Sequence, residues 1–360
     1  MGVGFCDETC RSAQCERTTA LSQDAPLRYG SSLPQELLND YPALQLDQVY
    51  SLTLSWHFSE ARRILQSVRA NLMNGTRTAK WRAAGLDVDE VLRKQVYCEM
   101  QLAILRDEMV QAEALARQWL AMDGNYTLFD DAVSQTSLIY AQREQFDCRS
   151  LAAASRARTI FADYGNRWGS IWHDCIIAAG HLQIGHLERA RTTFQSALET
   201  AIEIVGRTNP TTAMPALHLS EVLYEVNEVD AARALTDEFL LLAGQTGLVD
   251  QLVAGYLTKV RIAALDSIVA ALRVLEEGEE IGVARGFDRL IGSSDQPDDP
   301  ACRIKRRLPP NTGFLPGGLV ARVLMRALAS PTRKAQLQIR TCPKGDRSFH
   351  DLRGINGGIA

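Results

Sequence analysis

About every forty residues along this chain an amphipathic, helix-sized pattern restarts behind a small side chain, and six such restarts share one register. Anchored on the first small residue of each second helix, they fall at Ala61, Ala112, Arg149, Ala190, Ala232 and Ala271, spaced 51, 37, 41, 42 and 39 residues apart. Three residues before each anchor stands an apolar one: Phe58, Met109, Phe146, Leu187, Val229 and Ile268. With 46% hydrophobic residues, six apolar hits in one column arise by chance about once in a hundred. The small anchor has a physical reason. Antiparallel helices approach closely there, and a bulky side chain would hold them apart. Arg149 departs from the column: either the register slips there, or Ala152 or Ala153 takes the close contact.

A hairpin of that length cannot bury its apolar face alone, so successive copies must stack. The expected fold is therefore all-α. It is an α-α superhelix, a tetratricopeptide-like solenoid of about six helical hairpins, with irregular N- and C-terminal tails. The pattern starts with one helix over 41–54 and a second over 59–73 that Ser59 caps, ended by Asn74-Gly75 and followed by a polar insert through Asp89. Helices then pair as 90–105 with 108–122, 129–143 with 147–163, 168–183 with 187–205, 211–226 with 229–244, and 249–264 with 267–281. Their turns carry Gly185-His186, Asn227-Glu228 and Asp266-Ser267, where one helix stops and the next is capped. Three segments follow: a disordered N-terminus over 1–32, the repeat domain over 33–291, and a linker with a basic, poorly ordered tail over 292–360. Within that tail only Leu319–Leu328 has helical character.

Charge sharpens the division. Residues 301–360 carry 12 Lys+Arg against 2 Asp, whereas the first 300 carry 27 against 41 acidic groups. An acidic repeat body is a poor non-specific binder of nucleic acid. Eight scattered cysteines form no secreted disulfide framework. No apolar run reaches the roughly 18 residues of a membrane helix, and the first thirty residues have no signal-peptide core. Cytoplasmic placement is expected.

The residue clusters that resemble chemistry fall short of it. Cys6, Cys10 and Cys15 lack the tight pair and fourth ligand of a zinc site, so neither a metal nor a cofactor is expected. Trp172-His173-Asp174-Cys175 holds acid–base and nucleophilic types, yet consecutive helical positions point in different directions. His181 and His186 miss the i, i+4 spacing of a helical zinc pair. There is no phosphate-binding loop and no G-x-S-x-G elbow. Arg303, Lys305, Arg306 and Arg307 form a basic knot with no DNA-reading module around it. Direct DNA binding, membrane association and catalysis are therefore not expected; a helical enzyme using His173 and Asp174 is the minor alternative.

Three segments carry a family resemblance: YPALQLDQVYSLTLSWHFSEARRIL, WGSIWHDCIIAAGHLQIGHLERARTTFQSALETA and LHLSEVLYEVNEVDAARALTDEFLLLAGQTGLVDQLVAGYLTKVRIA. A G-x-L-x-x-A turn stands as Gly185, Leu187 and Ala190 and is echoed by Asn227, Val229 and Ala232. An L-x-E-x-L-Y-E phrase stands at Leu219, Glu221, Leu223, Tyr224 and Glu225. Over about 41–290 the chain resembles the helical sensor region of MalT-type, LuxR-family ATP-dependent transcriptional regulators. Members of that family also carry an ATPase domain and a helix-turn-helix, neither of which has a counterpart motif here. The resemblance thus implies the middle part of a larger regulator, as a fragment or frame-disrupted copy. That part is a non-catalytic sensor whose concave groove takes a protein partner or a small-molecule inducer; a general interaction scaffold is the alternative. Groove-facing positions of such repeats lie about 18, 15, 11 and 8 residues before the anchor. This projection selects Lys94, Tyr97, Gln101, Trp172, Glu221, Tyr224 and Tyr256.

Overall fold

The computed structural model describes residues 38–124, 127–245 and 247–291. The expected disordered N-terminus with Cys6, Cys10 and Cys15, the basic knot and Leu319–Leu328 lie outside them. Helices α1 (Pro42–Leu54) and α2 (Phe58–Met73) form the first hairpin, and α3 (Gly75–Ala83) follows. The next hairpins pair α4 (Val88–Leu105) with α5 (Met109–Leu120), and α6 (Leu128–Glu144) with α7 (Ala154–Asp163). Then come α8 (Arg167–Gln183) with α9 (Leu187–Val205), α10 (Pro210–Glu225) with α11 (Val229–Ala243), and α12 (Val249–Asp266) with α13 (Ile268–Arg285). A short α14 (Asp288–Ile291) ends the series, and no strand occurs among the described residues. The fold is an α-α superhelix.

Its curvature follows from which helices touch. First helices of successive hairpins pack on one another along the whole series, whereas each second helix packs on its own partner and on the first helix of the next hairpin. The first helices therefore line the inside and the second helices splay outside. Tight approach within a hairpin depends on the alanine column: Ala61, Ala112, Ala190 and Ala232 are fully buried, and Ala271 nearly so. The apolar residues three places earlier are the first residues of their helices and are less enclosed. Phe58 and Met109 are buried, Leu187 and Val229 half-buried, and Ile268 exposed.

Turn chemistry sets this register. Five of the hairpin turns pass through a left-handed residue shortly before the next helical segment, two positions before it at Trp56, Asp107, Gly185 and Asn227 and three at Phe146. In each, two backbone bonds close the first helix in a Schellman arrangement. Glu108 N donates to Ala103 O at 2.9 Å and Asp107 N to Ile104 O at 3.2 Å, for example.

Three sequence expectations are corrected here. His57, not Ser59, precedes α2, because the turn through Trp56 starts that helix at Phe58. The polar insert is a helix, α3, whose N-terminus is capped by the Asn74 side chain accepting from Thr76 N and Arg77 N. Its one large apolar residue, Trp81, is buried and donates from Nε1 to Asn39 O at 3.1 Å. In the third hairpin the anchor is neither Arg149, Ala152 nor Ala153. After the turn at Phe146 a 3-10 segment, Arg149–Ala153, intervenes before α7. The fully buried Ala157, with Ala154 three places before it, takes the close-contact position. Phe146 is left 75% exposed.

These two sites predict opposite responses. Ala190→Leu overpacks a closed hairpin and should lower stability by roughly 1–3 kcal/mol. Phe146→Gly relieves a left-handed phenylalanine that buries little and should raise stability by about 0.5–1 kcal/mol. Urea denaturation of both variants checks the pair; a destabilised Phe146→Gly would show that this ring packs.

Candidate functional site

The shifted register of the third hairpin has a consequence inside the superhelix. One hydrophobic cluster runs from Leu46 to Leu290, but Ala132, Ala157, Ile160 and Phe161 form a separate small core between α6 and α7. A groove occupies the gap. Its walls come from Tyr50 and Leu54 of α1, Tyr97 and Gln101 of α4, and Phe129, Val133 and Tyr140 of α6. Trp168, Gly169 and Trp172 of α8 face them, and Leu248, just ahead of α12, closes the far side. The groove has a cavity volume of about 70 Å³ and is partly open to solvent.

Aromatic rings dominate it. Trp168 and Trp172, one helical turn apart, have ring centroids 5.0 Å apart, and Tyr50 and Tyr97 stand 6.4 Å apart on neighbouring helices. Gly169 is needed at the floor, where a Cβ would come within 2.8 Å of the Phe161 ring. Several polar groups of the lining are already engaged. Gln101 Nε2 donates to Ser137 Oγ at 3.3 Å, and Thr136 Oγ1 donates to Ala132 O at 2.8 Å. Trp172 Nε1 is buried without a hydrogen-bond partner. Burial pushes the Tyr97 phenol well above its usual range, so it stays a neutral O–H.

Behind the groove lies a buried charge network that joins distant parts of the superhelix. Arg143 of α6 pairs with Asp250 of α12 at 2.5 Å and donates to Ile176 O at 3.2 Å. His218 Nε2 of α10 lies 3.2 Å from the same Asp250 carboxylate. Burial raises the Asp250 carboxyl, but His218 and Arg143 outweigh it and hold the group below the ordinary carboxylate range. Arg289 of α14 pairs with Asp107 in the α4–α5 turn and with Glu144. Tyr140 connects groove to network: its hydroxyl accepts from Arg289 Nη2 at 3.2 Å, and the Arg143 guanidinium sits 4.8 Å over its ring. Trp56 adds a further tie, donating from Nε1 to Gly247 O at 3.3 Å with its ring edge-on to Phe287.

Of the seven residues projected from the repeat, Tyr97, Gln101 and Trp172 come together in this groove. Lys94 stands at the surface, paired with Asp47 at 2.7 Å. Glu221, Tyr224 and Tyr256 belong to α10 and α12 and do not line it. Tyr224 is buried under the Arg261 guanidinium at 5.5 Å, and Tyr256 packs against Gly278. The projection passed over Tyr50, although it stands 11 residues before Ala61 and so at a groove offset. On α6 the offsets counted from Arg149 fall on Asp131, Ser134, Leu138 and Ala141, so the projection reached none of Phe129, Val133 and Tyr140.

The acid–base candidates do not share a site. His173 is buried, with Nδ1 2.9 Å from Thr136 Oγ1, while Asp174 pairs with Arg158 at 3.3 Å. His181 and His186 stack on each other, and no group of three or more His, Cys, Asp or Glu suited to a metal occurs among the described residues. No helix among the described residues is long and apolar enough to cross a membrane.

Comparison with known proteins places this architecture. A family profile described as "MalT-like TPR region" matches residues 98–295. Among solved structures, a Rap protein complexed with competence and sporulation factor is similar at TM-score 0.52 and 14% identity, over 84% of this chain and 94% of that one. The apo form of RapI aligns at TM-score 0.40 and 15% identity, over 92% of this chain and 84% of that one. No curated protein sequence matches.

His173 supplies a pH prediction. Burial, with the Arg158 charge behind it, lowers its imidazole from 6.5 to about 4. Folding therefore favours the neutral ring. Its stability contribution is complete above pH 6.5 and is lost as pH falls towards 4, amounting to about 2 kcal/mol between pH 6.5 and 5. His181, also lowered by burial, adds to the slope. In urea titrations at pH 7, 6 and 5, His173→Gln should lose less stability than the parent; parallel slopes would refute the buried neutral ring.

Proposed function

The chain belongs to the MalT-like TPR region family, and on that premise we propose that it serves as a non-catalytic sensing and interaction module of a LuxR-family, MalT-like transcriptional regulator in the cytoplasm. Its groove takes an inducer or a partner segment, and occupancy is relayed to neighbouring parts of the regulator. The coupling of groove to closure through Tyr140 is the observation that carries this reading. An occupant pressing on the Tyr140 ring changes the positions open to Arg143 and Arg289, which hold α12 and α14 against the earlier hairpins. Such a paired arrangement suits a two-state element biased by a ligand. A Rap protein of this fold was crystallised complexed with competence and sporulation factor, which supports reading the chain as a module that accepts an occupant. The acidic balance of the first 300 residues leaves DNA contact to another part of the regulator.

Two measurements test the proposal. Native mass spectrometry after incubation with a cell extract should show the parent retaining a ligand or peptide that Trp172→Ala loses, with helicity by circular dichroism unchanged. Equal retention by both would place the occupant elsewhere; a collapse of helicity in Trp172→Ala would assign the ring to the core. For the relay, Arg289→Ala should speed amide exchange in the α4–α5 turn by about tenfold. Unchanged exchange there would remove α14 from the mechanism.

A further inference from the structure

The chemistry of the groove narrows what it accepts; this inference rests on the groove being the sensing site. Among the described residues no Asp, Glu, Lys, Arg or His side chain lines it. The charged groups close to the lining have partners of their own: Arg289 holds Asp107, Glu144 and the Tyr140 hydroxyl, Arg143 holds Asp250 and Glu144, and Asp130, whose charge reaches the Tyr97 hydroxyl, is held by Thr127. A ligand with a formal charge would leave water here with no counter-charge, which costs several kcal/mol. A polyhydroxylated or peptide-like ligand fares little better, because Gln101, Ser137 and Thr136 already bond one another or the backbone. Of the lining's donors, the Trp172 Nε1–H is buried and has no partner. Around it stand flat rings, the Trp168–Trp172 pair at 5.0 Å among them.

We propose that the groove binds a small, neutral, flat aromatic molecule bearing one hydrogen-bond acceptor, the ring packing among Trp168, Trp172 and Tyr97 and the acceptor taking the Trp172 Nε1–H. Rings packed offset or edge-on gain from one another beyond their buried area. Satisfying an orphaned buried donor is worth about 1 kcal/mol, or about fivefold in affinity. A methyl at Gly169 would meet Phe161 and push its ring into this space, which makes Gly169→Ala a narrowing variant.

The test uses the full chain and four probes in calorimetric titration: 2-acetylnaphthalene, naphthalene, 2-naphthoate and a charged aromatic pentapeptide. The ketone is expected to bind about fivefold more tightly than naphthalene and at least tenfold more tightly than 2-naphthoate. Trp172→Phe keeps a ring but removes the donor, and should bring the ketone to the affinity of naphthalene. Gly169→Ala should weaken both neutral probes alike. Equal or tighter binding of 2-naphthoate or the pentapeptide, abolished by Trp172→Ala, would overturn the neutral-ligand inference and leave the sensing groove standing. No binding of any probe, in a parent whose extract-derived ligand is also insensitive to Trp172→Ala, would end both. Saturation-transfer spectra on Trp172→Phe separate a lost donor from a lost site: ring protons should still receive saturation, and their silence would count against the assigned pose.

Discussion

Close approach at one alanine per hairpin is the constraint on which this superhelix depends. With Ala61, Ala112, Ala190, Ala232 and Ala271 sealed between paired helices, each hairpin is thin and stiff, and its apolar surplus faces the next hairpin. Curvature follows because first helices touch along the inside while second helices do not meet one another as closely. The inside is then narrow enough for α12 and α14 to reach back to α6 and to the α4–α5 turn. Six thin units, rather than a globular core, thereby bring Asp250 and Arg143 together across 107 residues of chain.

The groove exists because one unit breaks that constraint. A 3-10 segment sets α7 back, its small core with α6 separates from the main cluster, and aromatic rings from five helices line the gap. Irregularity in a repeat commonly marks function, since sequence that departs from local consistency must be compensated elsewhere. Here the compensation is visible in Tyr140, whose buried hydroxyl is satisfied from the network side and whose ring serves the groove.

How far the sequence could be read follows the same division. Where alanine anchors and apolar spacing repeat, helices and hairpins were legible to within a few residues. The turns were less so, because a left-handed Trp56 or Phe146 carries none of the Gly or Asn signal that marks Gly185 and Asn227. Helix α3 was invisible to periodicity, with Trp81 as its single large buried side chain. A smaller part of the groove was legible. Tyr97, Gln101 and Trp172 stand at regular offsets from correct anchors, whereas Phe129, Val133 and Tyr140 of α6 stand at those offsets from neither Arg149 nor Ala157. The charge network was not legible at all, since Arg143, His218 and Asp250 meet only through superhelical closure.

That closure also explains why a neutral groove and a charged lock sit side by side without conflict. Buried ion pairs are weak contributors to stability, because desolvation offsets their attraction; what they impose is a definite geometry once formed. Arg143 and Asp250 are nearly dry, so breaking the pair strands a charge and is steeply unfavourable, whereas Arg289, partly wet, can exchange partners at smaller cost. The network thus has a fixed element and a yielding one. Tyr140 touches both, through its ring under Arg143 and its hydroxyl under Arg289. Displacement of that ring by a groove occupant would be resisted on the Arg143 side and accommodated on the Arg289 side. The motion it drives would therefore fall on α14 and the α4–α5 turn, where the chain continues towards its C-terminal region.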